Sequence, residues 1–500
     1  MNIENLISDL VFIKPELAVS ATLVLIVLFD LIFAENKKFL PYISILGLLV
    51  TCYCVIQQFG TATFAFKISA NTGMVVIDNF GSYFKVVVLI ASLFVVLFSI
   101  VSSEIKSTAD RHGEYYTLLF GMILGMFLMS SSADLILLYL SIELLSLSSY
   151  VLAGFVKNSI RNSEASLKYI IYGGVSSGIM LFGISLIYGL TGSTNLYEIN
   201  SLIQVQNFPH ITFLIAGLFV LVGLGFKISA APFHFWTPDV YEGAPIPITA
   251  YLSVASKAAG FAVLIRFIKI TFVDSVDANG YWALISIIDW QSIIILLSIL
   301  TMTLGNFAAL WQDNLKRMLA YSSIAHAGYM LLGLAVMSNS GINAILVYFI
   351  VYAFMNLGAF FVVMIIANKI GSEEIDDYKG LGKSMPFLGV LLAVFLISLV
   401  GLPPTAGFIA KVLIFVALVD ANMIVVAMIA LLNTVVSLYY YIRVLKNMYL
   451  VTVEEEKPRV PVAFANGLLL VILVAPILIF GIYFTPIIDF AKNSITILGF

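Results

Sequence analysis

Cysteine, histidine and charge are all scarce in this chain. Two cysteines in 500 residues, Cys52 and Cys54, stand one residue apart inside an apolar run with no histidine beside them. They supply no disulfide framework, no thiolate-held cluster and no metal site. Four histidines, none paired at a haem-ligating spacing, leave no haem site. There is no Walker-type loop and no glycine fingerprint following a strand, which excludes an ATP engine and a dinucleotide site. Charged residues make up 11% of the chain against 61% apolar, whereas soluble domains run at about a quarter charged and half apolar. A water-soluble enzyme, a disordered chain and a nucleic-acid binder are excluded together. The net charge of −3 offers no polybasic surface for phosphates.

What fills the chain instead is a series of long apolar runs. A helix needs about 20 apolar residues to cross the hydrocarbon core, and backbone polarity restricts spanning segments to helices or closed barrels. These runs are too long for barrel strands. They lie at 17–33, 40–59, 79–101, 115–131, 133–155, 169–190, 211–236 and 248–272, then at 285–311, 319–337, 342–370, 387–419, 423–450 and 462–484. The expected fold is all-α, a polytopic membrane protein of about 14 transmembrane helices. Met1-Asn2-Ile3-Glu4-Asn5 lacks the positive region of a cleavable signal, so the first run is expected to be kept as a span.

Orientation follows from the basic residues. Loops after odd-numbered spans take sixteen of the 25 Lys and Arg, and six more, Lys14, Lys67, Lys85, Arg266, Lys269 and Lys492, fall to the opposite side or the termini. The basic side faces the cytoplasm, which puts both termini on the periplasmic side. Three lysines remain inside spans: Lys227, Lys257 and Lys411.

Spans seven and twelve are over-long and interrupted. The first carries Gly225-Phe226-Lys227-Ile228-Ser229-Ala230-Ala231-Pro232 and the second Gly401-Leu402-Pro403-Pro404-Thr405-Ala406-Gly407. Pro232, Pro403 and Pro404 remove backbone donors and clash with the preceding turn, so both helices should break near mid-membrane. Irregular backbone survives at that depth only where it is buried in protein or lines a wet cavity, and paired interruptions mark the working site of inverted-repeat transporters. If spans four to eight form one unit and nine to thirteen another, each break falls in the fourth helix of its unit. Five is odd, so the second unit sits upside down relative to the first. The expected division is a three-helix segment at 1–114, two inverted five-helix repeats at 115–272 and 273–450, and a C-terminal helix at 451–500.

Five ionisable groups sit at similar depth. Glu143 lies halfway through span five, Lys227 at the first break, Lys257 in span eight, His326 in span ten and Lys411 just past the second break. An ionisable side chain at the bilayer centre costs roughly 2.5 kcal/mol or more, so each needs a partner, water or a proton equilibrium. A single buried ion pair can be a packing device. Three lysines against one deep glutamate leave two cations without a deep counter-charge, which favours a proton line. With Glu143 close, Lys227 keeps its proton; when the carboxylate moves away or is neutralised, the proton passes on through Lys257 or water. His234 beside the first break and Lys168 at the opening of span six are possible relay groups, set against a hydrogen-bonded core imidazole and a snorkelling lysine. His112 and His210 fall in loops, Asp30, Asp134 and Asp313 lie near span ends, and Glu454-Glu455-Glu456 reads as a solvated loop. A proton path with no energy source of its own either exchanges ions down a gradient or is driven by a partner.

Tyr115 to Leu450 resembles the proton-pumping, antiporter-like membrane subunits of respiratory complex I, and most of all the N-type subunits of bacterial NADH–quinone oxidoreductases. The resemblance is carried by Pro232-Phe233-His234-Phe235-Trp236-Thr237-Pro238-Asp239-Val240-Tyr241-Glu242-Gly243-Ala244-Pro245, by Arg317-Met318-Leu319-Ala320-Tyr321-Ser322-Ser323-Ile324-Ala325-His326, and by Gly401 to Lys411. Pro15-Glu16-Leu17 with Asp30 looks like the N-type first span. The resemblance implies Glu143 and Lys227 as a coupled pair, Lys257 as the connecting lysine, His326 as a relay and Lys411 as the central group of the second unit. Lys168 and His234 match family positions too. It further implies a non-redox subunit of a translocase in the bacterial inner membrane, binding no metal or cofactor of its own. NADH, FMN, iron–sulfur clusters and quinone would sit in partner subunits of the membrane and peripheral arms. Two other readings are a subunit of a monovalent cation/proton antiporter, against which Val240-Tyr241 speaks, and an assembly subunit whose buried charges only fix helix packing.

Overall fold

The computed structural model describes residues 7–33, 37–69, 72–156, 159–451 and 461–499. Glu454-Glu455-Glu456 and the basic residues Lys157, Lys457 and Arg459 lie outside these. Every apolar run becomes a helix: α1 Lys14–Ile32, α2 Leu40–Gln58, α3 Asn79–Val101, α4 His112–Ser131, α5 Leu135–Ala153, α6 Ile160–Thr191 and α7 His210–Ile228. They continue as α8 Ile246–Phe272, α9 Trp290–Ala309, α10 Leu315–Ala335, α11 Asn339–Ile370, α12 Pro386–Val400, α13 Ile424–Leu450 and α14 Phe464–Ile482. Among the described residues, thirteen of these are long and apolar enough to cross a membrane. The exception, α12, stops after 15 residues at the second break, and Ala406–Asp420 continues it. The α6 helix starts nine positions before the apolar run, because Ser159 caps it by accepting from Asn162 N–H and its first turns are polar. A search for apolar runs cannot see such turns. Two antiparallel hairpins, β1 Thr63–Ser69 with β2 Thr72–Ile77 and β3 Val273–Val276 with β4 Trp282–Leu284, each join an even-numbered helix to the next odd one and so share one face.

Enclosure is greatest around two helices that carry buried ionisable groups, α8 with Lys257, Arg266 and Lys269 and α10 with Lys316 and His326, and around α11, which is as apolar as the outer helices. The α8 span is wholly buried, and α10 and α11 nearly so, while α1 and α14 show most of their surface. Lipid is as apolar as leucine, so nothing drives leucine-rich helices inward, whereas lysine, arginine and histidine need protein partners. The outer helices accordingly expose Leu31, Leu46, Val425 and Leu468. Sorting basic residues by loop is corrected here. Lys85, Arg266, Lys269 and Lys316 lie toward the ends of their helices but are enclosed by protein rather than lying in loops. Lys85 pairs with Glu16 at 2.6 Å, Arg266 holds Asp78 with two bonds of 2.8 Å, and Lys316 pairs with Glu373 at 2.8 Å. Each counter-charge comes from a distant segment, which a one-dimensional count cannot reveal.

Contacts repeat between the two halves. A Cβ on Gly125 of α4 would lie 2.8 Å from Leu145 N and 3.0 Å from Ser141 O; one on Gly305 of α9 would lie 2.6 Å from Ala325 N and 2.9 Å from Tyr321 O. Asp134 caps α5 and Asn314 caps α10. Leu135 N–H donates to Thr194 O and Leu315 N–H to Glu373 O, both at 2.8 Å. The partners α6 and α11 are each 32 residues long and end on left-handed glycines, Gly192 and Gly371. Five crossings separate equivalent points, so α5 and α10 start from opposite faces and the repeats are inverted. Position 125 corresponds to 305 and 134 to 314, which places Ser323 where the first repeat has Glu143 and His326 where it has Ser146.

Both breaks satisfy their freed backbone. After α7, Ser229 turns left-handed (φ 61°), Ala231 N–H donates to Thr301 Oγ1 at 2.9 Å, and the Trp236 indole N–H to Phe226 O at 3.1 Å. The chain then resumes as a half-helix, Trp236–Gly243. After α12, Gly401 turns left-handed (φ 85°), Gly407 N–H donates to Ser398 Oγ at 3.2 Å, and the Lys411 ammonium donates to Val400 O at 2.8 Å. The Ala231-Pro232 and Pro403-Pro404 bonds are cis. A Cβ at Gly401 would meet Lys411 Cδ at 2.8 Å. Gly401→Ala is therefore expected to destabilise the protein by about 1–2 kcal/mol from the backbone alone, read as a lower unfolding midpoint in detergent. An unchanged midpoint would contradict the requirement for glycine.

Candidate functional site

The site begins where α5 meets the end of α7. Glu143 and Ser146 stand one turn apart on α5. The Lys227 ammonium, buried, donates to Ser146 Oγ at 3.1 Å. Glu143 and Lys227 form no ion pair within 4.0 Å, and Glu143 Oε1 is buried without a hydrogen-bond partner. The coupled pair expected from sequence is thus brought to neighbouring turns, with a serine hydroxyl taking the ammonium.

From there the line passes to α8. Gly260 lets this helix approach the break so closely that a Cβ would lie 2.7 Å from Ile228 Cγ2 and 3.6 Å from Lys227 Cγ. Lys257 is one turn away on the same helix, directly after a single π turn, Leu252–Ser256. Such turns disturb the regular ladder and recur at functional positions. The Lys257 ammonium donates to Ser323 O at 2.8 Å and to Ser323 Oγ at 2.9 Å.

Ser323, His326 and Tyr329 follow at three-residue steps along one side of α10, each about 4.5 Å further on. The His326 ring shares hydrogen bonds with Tyr348 of α11 (Nδ1, 2.7 Å) and Tyr441 of α13 (Nε2, 3.3 Å), and Tyr441 also bonds Ser322 Oγ. Lys411 places its ammonium 4.6 Å from the centre of the Tyr329 ring. Two of the three buried lysines of this file are held by neutral oxygens, the third by an oxygen and a ring face. Hydroxyls both donate and accept, so they suit proton transfer between amines. Around the first break and the π turn, Ser229 Oγ, His234 Nδ1, Thr237 Oγ1, Tyr241 OH and Ser256 Oγ are buried without protein hydrogen-bond partners. Groups of this kind are ordinarily met by water.

The structure therefore brings Lys227, Lys257, His326 and Lys411 into one file, with Glu143 beside its start. Lys168 stands apart at one face, paired with Glu164 at 2.7 Å and Asp239 at 2.6 Å. His234 borders the break and stacks on Phe235. Sequence reasoning missed Ser146, Ser323, Tyr329, Tyr348 and Tyr441. One signal was available: Asn433, Ser437, Tyr440 and Tyr441 form a helical-period polar stripe on α13, and all four are buried.

Residues 132–437 match the family described as NADH:quinone oxidoreductase/Mrp antiporter, transmembrane. The chain is 46% identical over 490 residues to NADH-quinone oxidoreductase subunit N 2 of Chloroherpeton thalassium, covering 97% of this chain and 94% of that protein. It is similar to a chain of respiratory complex I from Thermus thermophilus at TM-score 0.78 and 30% identity, over 96% of this chain and 100% of that one. A chain of the Mrp complex from Dietzia sp. DQ12-45-1b shares the fold at TM-score 0.81 and 18% identity, over 100% and 98% of the two chains.

Proposed function

The chain belongs to the NADH:quinone oxidoreductase/Mrp antiporter transmembrane family, and from that premise we propose that it translocates protons as the N-type membrane-arm subunit of an NADH–quinone oxidoreductase. The observation that carries this reading is the file of buried amines, hydroxyls and imidazole from Ser146 to Lys411 through both broken helices. Lys227 holds a proton on the Ser146 hydroxyl while Glu143 is near. Displacing or neutralising that carboxylate releases the proton toward Lys257. Ser323 receives it, His326 passes it between two tyrosine hydroxyls, and Lys411 takes it at the second break. NADH, FMN, iron–sulfur clusters and quinone belong to partner subunits in this reading, and their electron transfer drives the cycle; this chain is non-redox. The face rich in lysine and arginine lies toward the cytoplasm of a bacterial inner membrane, with both termini periplasmic.

The test is Lys227→Ala in the intact complex in sealed vesicles, with NADH as electron donor. Proton uptake should be lost while the assembled complex persists. Wild-type pumping by this variant would sink the proposal. Purification in mild detergent separates the antiporter reading: flavin- and iron–sulfur-bearing partners support the oxidoreductase, whereas sodium or potassium exchange by the chain alone supports the antiporter.

A further inference from the structure

The half-helix Trp236–Gly243 is gripped at both ends. At its start, Trp236 is tied to Phe226 O, next to Lys227, and lies flat on Tyr169 with ring centres 4.3 Å apart. Further along, Asp239 Oδ2 accepts from the Lys168 ammonium of α6 at 2.6 Å, and Oδ1 from Arg317 Nη1 of α10, also at 2.6 Å. Arg317 reaches Glu242 Oε2 at 2.9 Å and Gln312 Oε1 at 3.0 Å, and Lys168 reaches Glu164 at 2.7 Å. The half-helix and α6 belong to the first repeat, and α10 to the second. One carboxylate therefore bridges them.

The position of Arg317 is informative. It stands in the first turn of α10, where the positive end of the helix dipole disfavours a cation. Asp239 and Glu242 supply the counter-charge there. Six residues further, about 9 Å along the axis, the same helix presents Ser323 to Lys257, and then His326.

We propose that Asp239 is a positioning residue for proton transfer: by bridging Lys168 and Arg317 it sets the register of α10, and so of Ser323 and His326 against Lys257, according to the state of the first break. This rests on the proton-translocation reading. Burial pushes the Asp239 carboxyl up, and the hydrogen bonds from Lys168 and Arg317 outweigh it, leaving the group below its ordinary value. A carboxyl held in that way keeps its contacts at neutral pH and loses them only as pH falls below the usual carboxylate range.

The experiment uses the intact complex in sealed vesicles and reads two quantities, protons moved per NADH oxidised and the amount of assembled complex. Asp239→Asn should lower the proton ratio about fivefold or more at an unchanged amount of complex, and Asp239→Glu should restore most of it. Arg317→Gln should give the same loss, and combining it with Asp239→Asn should add little, as for two groups of one contact. A wild-type ratio in Asp239→Asn would overturn the proposal. So would a loss of rate that follows the amount of complex at an unchanged ratio, the signature of a purely structural contact. Lys257→Met measured beside them separates the two claims. If it too pumps normally, proton translocation through this file is wrong; if it fails while Asp239→Asn pumps normally, only the positioning role is wrong.

Discussion

Lys257→Met in the assembled complex is expected to lower proton pumping about 10²-fold, the scale on which a positioned proton donor or acceptor acts. Methionine is one atom shorter than lysine but nearly matches its volume and keeps an apolar stem, so it leaves little space unfilled in the fully buried α8 span. What it removes is the proton-carrying nitrogen that bonds Ser323 twice. Lys257→Arg sharpens the test. Arginine keeps a positive charge and hydrogen-bonding capacity but does not give up its proton. If Lys257 worked only as a fixed charge locking α8 to α10, arginine would restore pumping; if it exchanges protons, arginine is as inactive as methionine. The measurement is the initial rate of proton uptake by vesicles on adding NADH, divided by the amount of assembled complex. Wild-type rates in the arginine variant would refute proton exchange at this position.

The parts of this arrangement that could be read from sequence share one physical origin. A transmembrane helix must be apolar for its whole length, so spans, breaks and misplaced charges stand out against a uniform background. Lys227, Lys257, His326 and Lys411 stand out for that reason. Ser146 and Ser323 do not, because a serine in an apolar helix is common and bonds its own backbone, as Ser323 Oγ does to Ala320 O. Only the lysine arriving from another helix distinguishes it. The internal repeat was legible from the positions of the two breaks but not from residue identity. Equivalent positions carry Glu143 and Ser323, Ser146 and His326, so similar packing now serves different chemistry. The buried pairs Glu16–Lys85 and Asp78–Arg266 escaped for a different reason. Each charge lies near the end of a span, where an interfacial residue is expected, and its burial depends on chain folded over it from elsewhere. Resemblance to a family marked Glu16 without indicating its partner.

Arg266→Met is expected to destabilise the protein by about 3–5 kcal/mol, the loss seen when one member of a buried pair is removed and the other stays charged. Asp78 is almost wholly enclosed and has several tasks. It caps α3 by accepting from Gly81 N–H at 2.7 Å, receives both guanidinium bonds, and accepts from Leu498 N–H at 3.3 Å. Arg266 adds a bond to Ser130 O at 2.9 Å and lies over the Phe80 ring. Removing the arginine leaves a carboxylate in an apolar setting while the helix end still needs its oxygen. Asp78→Asn combined with Arg266→Met removes both charges but keeps an oxygen for the cap, so the double variant should be more stable than Arg266→Met alone. That ordering distinguishes an uncompensated charge from simple loss of contacts, for which the double variant would be the weaker. Denaturant unfolding in detergent measures it. A loss of no more than about 1 kcal/mol, as for an exposed pair, would show that water reaches Asp78. Because Arg266 stands nine residues, about 13 Å, beyond Lys257 along α8, protons moved per NADH should stay near the wild-type ratio in whatever complex survives, separating an anchor from a carrier on the same helix.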